Sequence, residues 1–287
     1  MSGSDVRSAD PQAERASLFD VGKRPTFGRY VREIWRRRAF VMRVPIDELR
    51  AEHLNTTLGN LWHLLNPILL TATYYLVFGV VLNAHRGEEN FITFLTIGIF
   101  SFYYTQRTVT SAARSITRNR GLLSSIYFPR AILPLGSVIS QTIALMPALL
   151  VVFIVATLSG QRPHLRWVLV VPILAGQAVL NLGLSLIISR LAARFRDVVN
   201  LLTFAFRLLL YASGVLYPVS RWVSDHSGWK VFFDWNPIYA FITMHRYAVL
   251  GSEMSGTLLL SAAVWASAAL AAGSWYFLRG ELEYGRD

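Results

Sequence analysis

Residues 117–130, TRNRGLLSSIYFPR, form a short amphipathic stretch between two long apolar runs. At a helical period Leu122, Leu123 and Ile126 fall within a stripe of about 100°, with the arginines and serines outside it. Asn119 falls within the stripe and fits there if it caps the helix, and Pro129 ends the helix at the residue before it. The pattern predicts a flat, positively charged helix of about two turns, although an ordinary basic loop remains an alternative.

The composition is that of a membrane protein. Of 287 residues, 53% are hydrophobic and 16% are charged, and the mean hydropathy is +0.40. Several runs of roughly 20 residues contain almost no charge, which is the length needed to cross a bilayer as a helix. The chain has no cysteine, which excludes disulfides and thiolate metal sites. We therefore expect an all-α polytopic membrane protein.

The apolar runs predict six transmembrane helices, at residues 61–82, 91–109, 132–158, 167–188, 198–216 and 257–278. Pro67 is expected to kink or restart the first, and Pro134 and Pro147 to interrupt the third. Residues 217–250 contain aromatic runs too short to span, which predicts interfacial or re-entrant helices between spans five and six. The amphipathic stretch lies between spans two and three.

The region before the first span divides into two parts. Residues 1–27 are polar and predict a disordered cytoplasmic tail. Residues 28–60 contain an amphipathic helix, at 29–42, whose apolar face carries Trp35 and whose opposite face carries arginines. This pattern predicts a helix in the headgroup plane, because a basic helix in water would expose a large apolar stripe. Residues 61–287 then form the six-span domain.

The distribution of positive charge predicts the orientation. With both termini in the cytoplasm, 22 of the 28 Lys and Arg residues lie on the cytoplasmic side, as the positive-inside rule requires.

The residues offer little catalytic chemistry. The chain contains no G-x-x-x-x-G-K-[ST] motif and two lysines in all, so we expect no nucleotide to bind by that route. The six histidines have no metal-ligand spacing. A proton relay would need acidic residues within the spans, and all the acidic residues lie outside the predicted spans. No catalytic residue, metal or cofactor is predicted for this chain.

Four stretches resemble the signature regions of type-2 ABC exporter permeases. They are LGNLWHLLNPILLTATYYLVFG (58–79), NRGLLSSIYFPRAILPLGSVIS (119–140), FRDVVNLLTFAFRLLLYASGVLYPVS (195–220) and WNPIYAFITMHRYAVL (235–250). The resemblance covers nearly everything from Leu49 onwards and is greatest to the branch that exports lipid-linked polysaccharide, namely O-antigen, teichoic acid and mycobacterial galactan. The composition resembles that of actinobacterial members, which would favour galactan.

The resemblance implies a bacterial plasma-membrane exporter. Two copies of this chain would assemble with two copies of a separate ATPase, which binds ATP and Mg, and no nucleic acid is involved. The amphipathic stretch would be the cytoplasmic coupling helix seated in the ATPase, and the N-terminal helix a second contact. The docking residues expected from it are Arg118, Asn119, Arg120, Ser124, Tyr127, Phe128 and Arg130.

The substrate implied is a polyprenyl pyrophosphate carrying a glycan. Its headgroup would meet a basic entrance made by Arg32, Arg36, Arg43, Arg50 and Arg207. Its sugars would slide along channel aromatics, since such rings combine an apolar body with a polar handle: Tyr74, Tyr75, Phe100, Tyr103, Tyr104, Tyr211 and Tyr217. Helix packing is the alternative role for each aromatic residue, and pairing with backbone carbonyls at the dimer seam is the alternative for Arg207.

Three other functions fit parts of the sequence. An exporter of the same architecture for a small lipid or drug would need fewer channel aromatics. A membrane glycosyltransferase would need acidic residues at a membrane face, where this chain offers mainly arginine and aromatic residues. A passive channel would leave the predicted coupling helix without a role.

Overall fold

The computed structural model describes residues 27–38, 41, 59–82, 90–119, 121, 128–195, 197–219, 223 and 227–280, and in these ranges all regular structure is helical. The α-helices described are α1 (Phe27–Arg36), α2 (Trp62–Tyr74), α3 (Phe91–Arg118), α4 (Ile132–Leu158), α5 (Val170–Arg194), α6 (Val198–Ala212), α7 (Lys230–Asp234), α8 (Pro237–Leu250) and α9 (Gly256–Gly280). A π-helix, Tyr75–Val81, continues α2. Short 3-10 helices, Gly59–Leu61, Leu165–Leu169 and Ser227–Trp229, precede α2, α5 and α7.

Three helical stretches in these ranges are long and apolar enough to cross a membrane: Ile132–Leu158, Leu165–Arg194 and Gly256–Gly280. They coincide with predicted spans three, four and six. The stretches Leu65–Val81 and Val198–Ala212 are shorter apolar helices, and the 28-residue α3 carries arginines within it. The chain is therefore an all-α membrane protein, and its six crossings stay a prediction.

Two helices do not end where the predicted spans end. α3 continues past the predicted end of span two, residue 109, to Arg118, because Ala112, Ala113 and Ile116 keep the same helical face buried. α6 ends at Ala212, before the predicted end of span five at residue 216, because the chain turns at Gly214, where φ is +59°. With 15 residues, α6 is about 22 Å long, less than the roughly 30 Å of the hydrocarbon core.

The prolines break neither helix that contains them. α2 runs through Pro67 to Tyr74, and α4 runs through Pro147 to Leu158. Pro134 lies in the first turn of α4, where backbone amides have no intrahelical acceptor, so its missing N–H costs no helical hydrogen bond. The interruption predicted for span three is therefore wrong.

Helix α5 is the centre of the bundle, and it packs chiefly against α9 and α3. Gly183 of α5 and Gly273 of α9 lie at the crossing of these two helices, where a Cβ on either glycine would meet the partner's backbone. Near the end of α5, Arg190 donates to the carbonyl of Tyr276, and its guanidinium lies 4.2 Å from the centre of the Tyr276 ring. The two helices are thus joined along their length.

A buried amide joins α5 to α3. The Gln177 Nε2 atom donates to the Ser101 carbonyl at 2.8 Å and to Thr105 Oγ1 at 3.0 Å, and Gln177 Oε1 accepts from Ser101 Oγ at 3.3 Å. Because a buried polar group costs free energy unless it is paired, this network favours one register of the two helices.

Between the fifth and sixth predicted spans the helices are short, as expected. α7 has 5 residues and α8 has 14. Most of α8 is buried, and it packs against α3, α9 and α5. That this region is interfacial or enters the membrane as a re-entrant segment stays a prediction.

Candidate functional site

The connection that is predicted to lie in the cytoplasm begins at the end of α3. Arg118 is the last helical residue and is exposed. Asn119 Nδ2 donates back to the carbonyl of Ser115 at 2.8 Å. Asn119 therefore closes the end of α3, and its predicted role as the cap of the next helix stays a prediction, because the start of that helix lies outside the described residues. The predicted docking residues Arg120, Ser124 and Tyr127, and most of the expected coupling helix, lie outside the described residues.

Phe128 anchors the far end of that connection. It is only 4% exposed and belongs to a cluster of buried apolar residues that we call, after the predicted orientation, the cytoplasmic core: Val41, Ile116, Phe128, Ala131, Ile132, Leu133, Leu186 and Phe277. A ring buried within its own chain cannot offer a surface to a partner. The prediction that Phe128 itself docks on the ATPase is therefore corrected, because its packing holds the connection to α3, α4, α5 and α9. Arg130, two residues on, is half-buried.

The N-terminal helix contacts the same core. Ile34 of α1 packs against it, and Val41 belongs to it. On the other side of α1, Arg32 and Arg36 are exposed, and Trp35 is 69% exposed. The structure thus joins α1 and the coupling connection through one apolar cluster. The remaining entrance residues predicted near this helix, Arg43 and Arg50, lie outside the described residues.

Two predicted channel aromatics meet where α2 and α3 approach each other. The hydroxyl oxygens of Tyr74 and Tyr103 are 3.5 Å apart. One turn further along α3, the guanidinium of Arg107 lies 6.0 Å from the centre of the Tyr103 ring. Tyr75, beside Tyr74, is exposed. Within the described ranges, Tyr74 and Tyr103 are the one pair of predicted channel residues on separate helices whose side chains lie within hydrogen-bonding distance of each other.

Two other predicted channel aromatics, Phe100 and Tyr104, have packing roles in this chain. Phe100 and Tyr104 are buried, and the Tyr104 hydroxyl is 2.7 Å from Thr142 Oγ1 of α4. Tyr211 is exposed near the end of α6, and Tyr217 donates to its carbonyl at 2.8 Å. Phe100 and Tyr104 are thus in the position expected of helix-packing residues, and a channel surface stays a prediction for Tyr75 and Tyr211.

Arg207 lies on an apolar surface. It is exposed, and its guanidinium is 5.8 Å from the centre of the Phe204 ring. Exposed apolar residues lie before and after it on α6 at helical spacing: Leu201, Phe204, Leu208 and Tyr211. The side chain is therefore directed away from the bundle, and its role at an entrance stays a prediction.

Arg246 is a buried cation that the sequence interpretation missed. It is 3% exposed, and its three nitrogens donate to the carbonyls of Phe94, Gly214 and Val215 at 3.3, 2.9 and 3.0 Å. The side chain crosses the bundle from α8 to α3 and to the turn after α6. A single arginine within the apolar run of α8 was the available signal.

Asn236 fixes the same turn from the start of α8. Its Oδ1 accepts from the amides of Ile238 and Tyr239, and its Nδ2 donates to Ser213 Oγ at 3.1 Å and to the Ala212 carbonyl at 3.3 Å. The Asn-Pro pair that opens α8 is a typical helix start, and it could have been read from the sequence. Arg246 and Asn236 together satisfy backbone carbonyls between residues 212 and 215.

The segment before α8 is amphipathic. Trp229, Phe232 and Trp235 are about half exposed, and Lys230 Nζ donates to Asp234 Oδ2 at 2.6 Å. This hydrogen bond, together with the attraction of the carboxylate, raises the pKa of Lys230. Exposed aromatic residues beside a charged pair suit a membrane–water interface, as predicted for this region.

Comparison with known proteins gives one family. Residues 52–250 match the ABC-2 type transporter family. The chain is 28% identical over 218 residues to the O-antigen export system permease protein RfbA of Myxococcus xanthus, covering 76% of this chain and 83% of that protein. It is 27% identical over 200 residues to a protein of the same name from Klebsiella pneumoniae, covering 69% and 75%. It is 21% identical over 222 residues to the polysialic acid transport protein KpsM of Escherichia coli, covering 73% and 81%.

Proposed function

The chain belongs to the ABC-2 type transporter family, and from this membership we propose that it is the permease subunit of an ATP-driven polysaccharide exporter. The observation that carries the proposal is the extent of the similarity to polysaccharide export permeases, which covers 69 to 76% of this chain. The substrate would be a glycan linked to polyprenyl pyrophosphate, taken from the cytoplasmic side of the plasma membrane. Galactan, O-antigen and teichoic acid remain candidate glycans.

ATP hydrolysis would be supplied by a separate subunit. α3 is long enough to reach such a subunit outside the membrane. It extends about 14 Å beyond the predicted end of the span and carries Arg114 and Arg118 on its exposed side. The segment after it would dock on the ATPase through Arg118, Arg120, Ser124, Tyr127 and Arg130. Two copies of the chain would assemble with two ATPase subunits, with both termini in the cytoplasm.

The cytoplasmic core gives a physical route for coupling. Phe128 and Ile116 flank the expected coupling connection, and both belong to the same buried cluster as Leu186 of α5 and Phe277 of α9. A displacement of the connection by the ATPase would therefore move the cytoplasmic ends of several helices together, since close-packed interiors transmit displacement. The contact of Ile34 with the same core would bring α1, at the proposed entrance, into the same movement.

The experiment that tests the proposal is co-purification of the tagged chain with the ATPase in lipid nanodiscs. The ATPase rate is then measured with and without a polyprenyl pyrophosphate glycan. A complex of two chains and two ATPases stimulated by the glycolipid is the expected result. A complex that ignores the glycolipid but responds to a small lipid or drug would replace the substrate assignment, and failure of any ATPase to associate would refute the coupling role.

A further inference from the structure

A cleft opens between α2, α3 and α4 on the side of the bundle. Its walls include Pro67 and Leu70 of α2, Phe100, Tyr103 and Arg107 of α3, and Gln141 of α4. The cleft leaves about 30 Å³ for the centres of water-sized molecules, enough for small polar groups such as waters but not for a lipid chain. A larger ligand would therefore place only a small group inside the cleft.

The polarity of the cleft changes along its length. Arg107 and Gln141 line one end, and Ile99 and Ala148 line the other. The Tyr104–Thr142 hydrogen bond fixes the register of α3 against α4. Eight residues separate Ile99 from Arg107, so the polar and apolar ends are about 12 Å apart along α3. Such a gradient matches an amphipathic molecule lying parallel to the helices.

Arg107 provides the charge at the polar end. Its recorded contact is with the ring of Tyr103, at 6.0 Å. The ion pairs within the described ranges join Arg37 to Glu33 and Lys230 to Asp234, so that Arg107 has no carboxylate partner there. A cation at membrane depth is costly unless it has a partner, which makes it a candidate for binding an anion.

The predicted orientation puts the polar end in the inner half of the membrane. α3 would begin at the outer face with Phe91, and Arg107 follows 16 residues later, about 24 Å along the helix. The hydrocarbon core is roughly 30 Å thick. The Arg107 Cα would thus lie roughly 6 Å from the inner boundary of the core, within the reach of an extended arginine side chain. An inner-leaflet lipid whose phosphate meets this side chain has its tail directed towards the bilayer centre, which is the direction of the apolar end of the cleft.

We propose that this cleft binds the phosphate group of an inner-leaflet lipid. Arg107 donates charge-assisted hydrogen bonds to the phosphate oxygens, and Gln141 supplies an amide donor from the facing helix. The tail lies along the open side of the cleft, against Pro67 and Leu70 of α2. A polyprenyl phosphate and an anionic phospholipid share this chemistry, and assignment of the site to the exported glycolipid rests on the proposed function.

The test uses the full chain in phosphatidylcholine nanodiscs, without the ATPase. Binding is measured for polyprenyl monophosphate, for the matching polyprenol without phosphate, and for phosphatidylglycerol as competitor. Arg107→Gln is expected to weaken polyprenyl phosphate binding about tenfold or more, with binding of the polyprenol unchanged. Arg107→Lys should retain most of the affinity because it keeps the charge, and Gln141→Leu should lower it by a smaller factor on the order of threefold.

Arg114→Gln is the matched control, since Arg114 is exposed on the same helix and does not line the cleft. Equal affinity of the wild type and Arg107→Gln would overturn the proposal, as would an equal loss in Arg114→Gln. Strong competition by phosphatidylglycerol would identify the ligand as a general anionic phospholipid, and weak competition would identify it as the polyprenyl carrier. Because no ATPase or glycan is present, a failure of the exporter assignment would leave this result intact.

Discussion

The guanidinium carbon of Arg246 lies 3.3 Å from the centre of the Phe94 ring, so that a cation of α8 is held against an aromatic face of α3. The same side chain donates to the carbonyls of Gly214 and Val215 in the turn after α6. Gly98, one turn along α3 from Phe94, leaves room for it, because a Cβ there would lie 2.6 Å from an Arg246 nitrogen. Arg246 thus holds three segments together at one point.

Replacing Arg246 by lysine should destabilise the protein although it keeps the charge. One ammonium group cannot reach the three carbonyls that the planar guanidinium reaches. The loss of two charge-assisted hydrogen bonds is expected to cost about 3 kcal/mol or more. Thermal unfolding of the purified chain in detergent measures this, with Arg162→Lys in an exposed loop as the control. Equal melting temperatures for the Arg246 variant and the wild type would show that Arg246 does not hold the three segments together.

The α5–α9 crossing gives a second stability prediction. Gly183→Ala places a methyl group against the backbone of Ala269 and Leu270 in α9, and overpacking of this kind costs about 1–3 kcal/mol. Gly256→Ala is the matched control, because a Cβ there meets nothing within 4 Å. The same unfolding measurement should separate the two variants. An unchanged Gly183→Ala protein would mean that the helices do not approach this closely.

Substitutions of Phe128 test whether this residue packs within the chain or docks on the ATPase. Phe128→Ala should cost about 3–5 kcal/mol, because it leaves a cavity in the cytoplasmic core. Phe128→Leu should restore most of the stability and the coupling of ATP hydrolysis to export. Phe232→Ala is the control: it removes a ring that is 48% exposed and should change the stability little. If the Phe128→Ala protein is as stable as the wild type but no longer binds the ATPase, the result would instead support the docking role expected from the family resemblance.

The sequence predicted the elements better than the partners of their polar side chains. Apolar runs are local, so spans three, four and six were predicted close to the helices of the structure. The end of α6 was missed because the turn depends on Gly214 together with side chains of α8, which are distant in sequence.

The same limitation applies to individual residues. Asn119 is one example, because its hydrogen bond back to the carbonyl of Ser115 depends on how α3 ends and was not predicted. Arg246 and Arg207 both lie in apolar runs, and sequence alone does not distinguish a cation that crosses the bundle from one that faces outward. Tyr74 and Tyr103 were both proposed for a channel. Their hydroxyl groups come together only through the packing of α2 against α3, which the sequence alone does not show.

Arg207 gives the most informative functional prediction. It lies nine residues after Val198, about 14 Å along α6, and is exposed between apolar side chains. A cation at the centre of a lipid-facing helix costs about 2.5–3.5 kcal/mol. Arg207 has no ion-pair partner among the described residues, so we expect it to be stabilised by the substrate or by the second copy. Arg207→Ala is expected to abolish glycan export while the complex with the ATPase stays assembled, and Arg207→Lys to retain part of the export.

Arg194→Ala, at the exposed end of α5, is the control for loss of one positive charge and should export normally. Export is measured as glycan reaching the outer face in cells, and assembly by co-purification of the ATPase with the variant. Because the anionic headgroup and the second copy are both candidate partners, the two readouts separate them. Loss of assembly along with export would show that Arg207 pairs across the dimer seam and would refute its role at the substrate entrance.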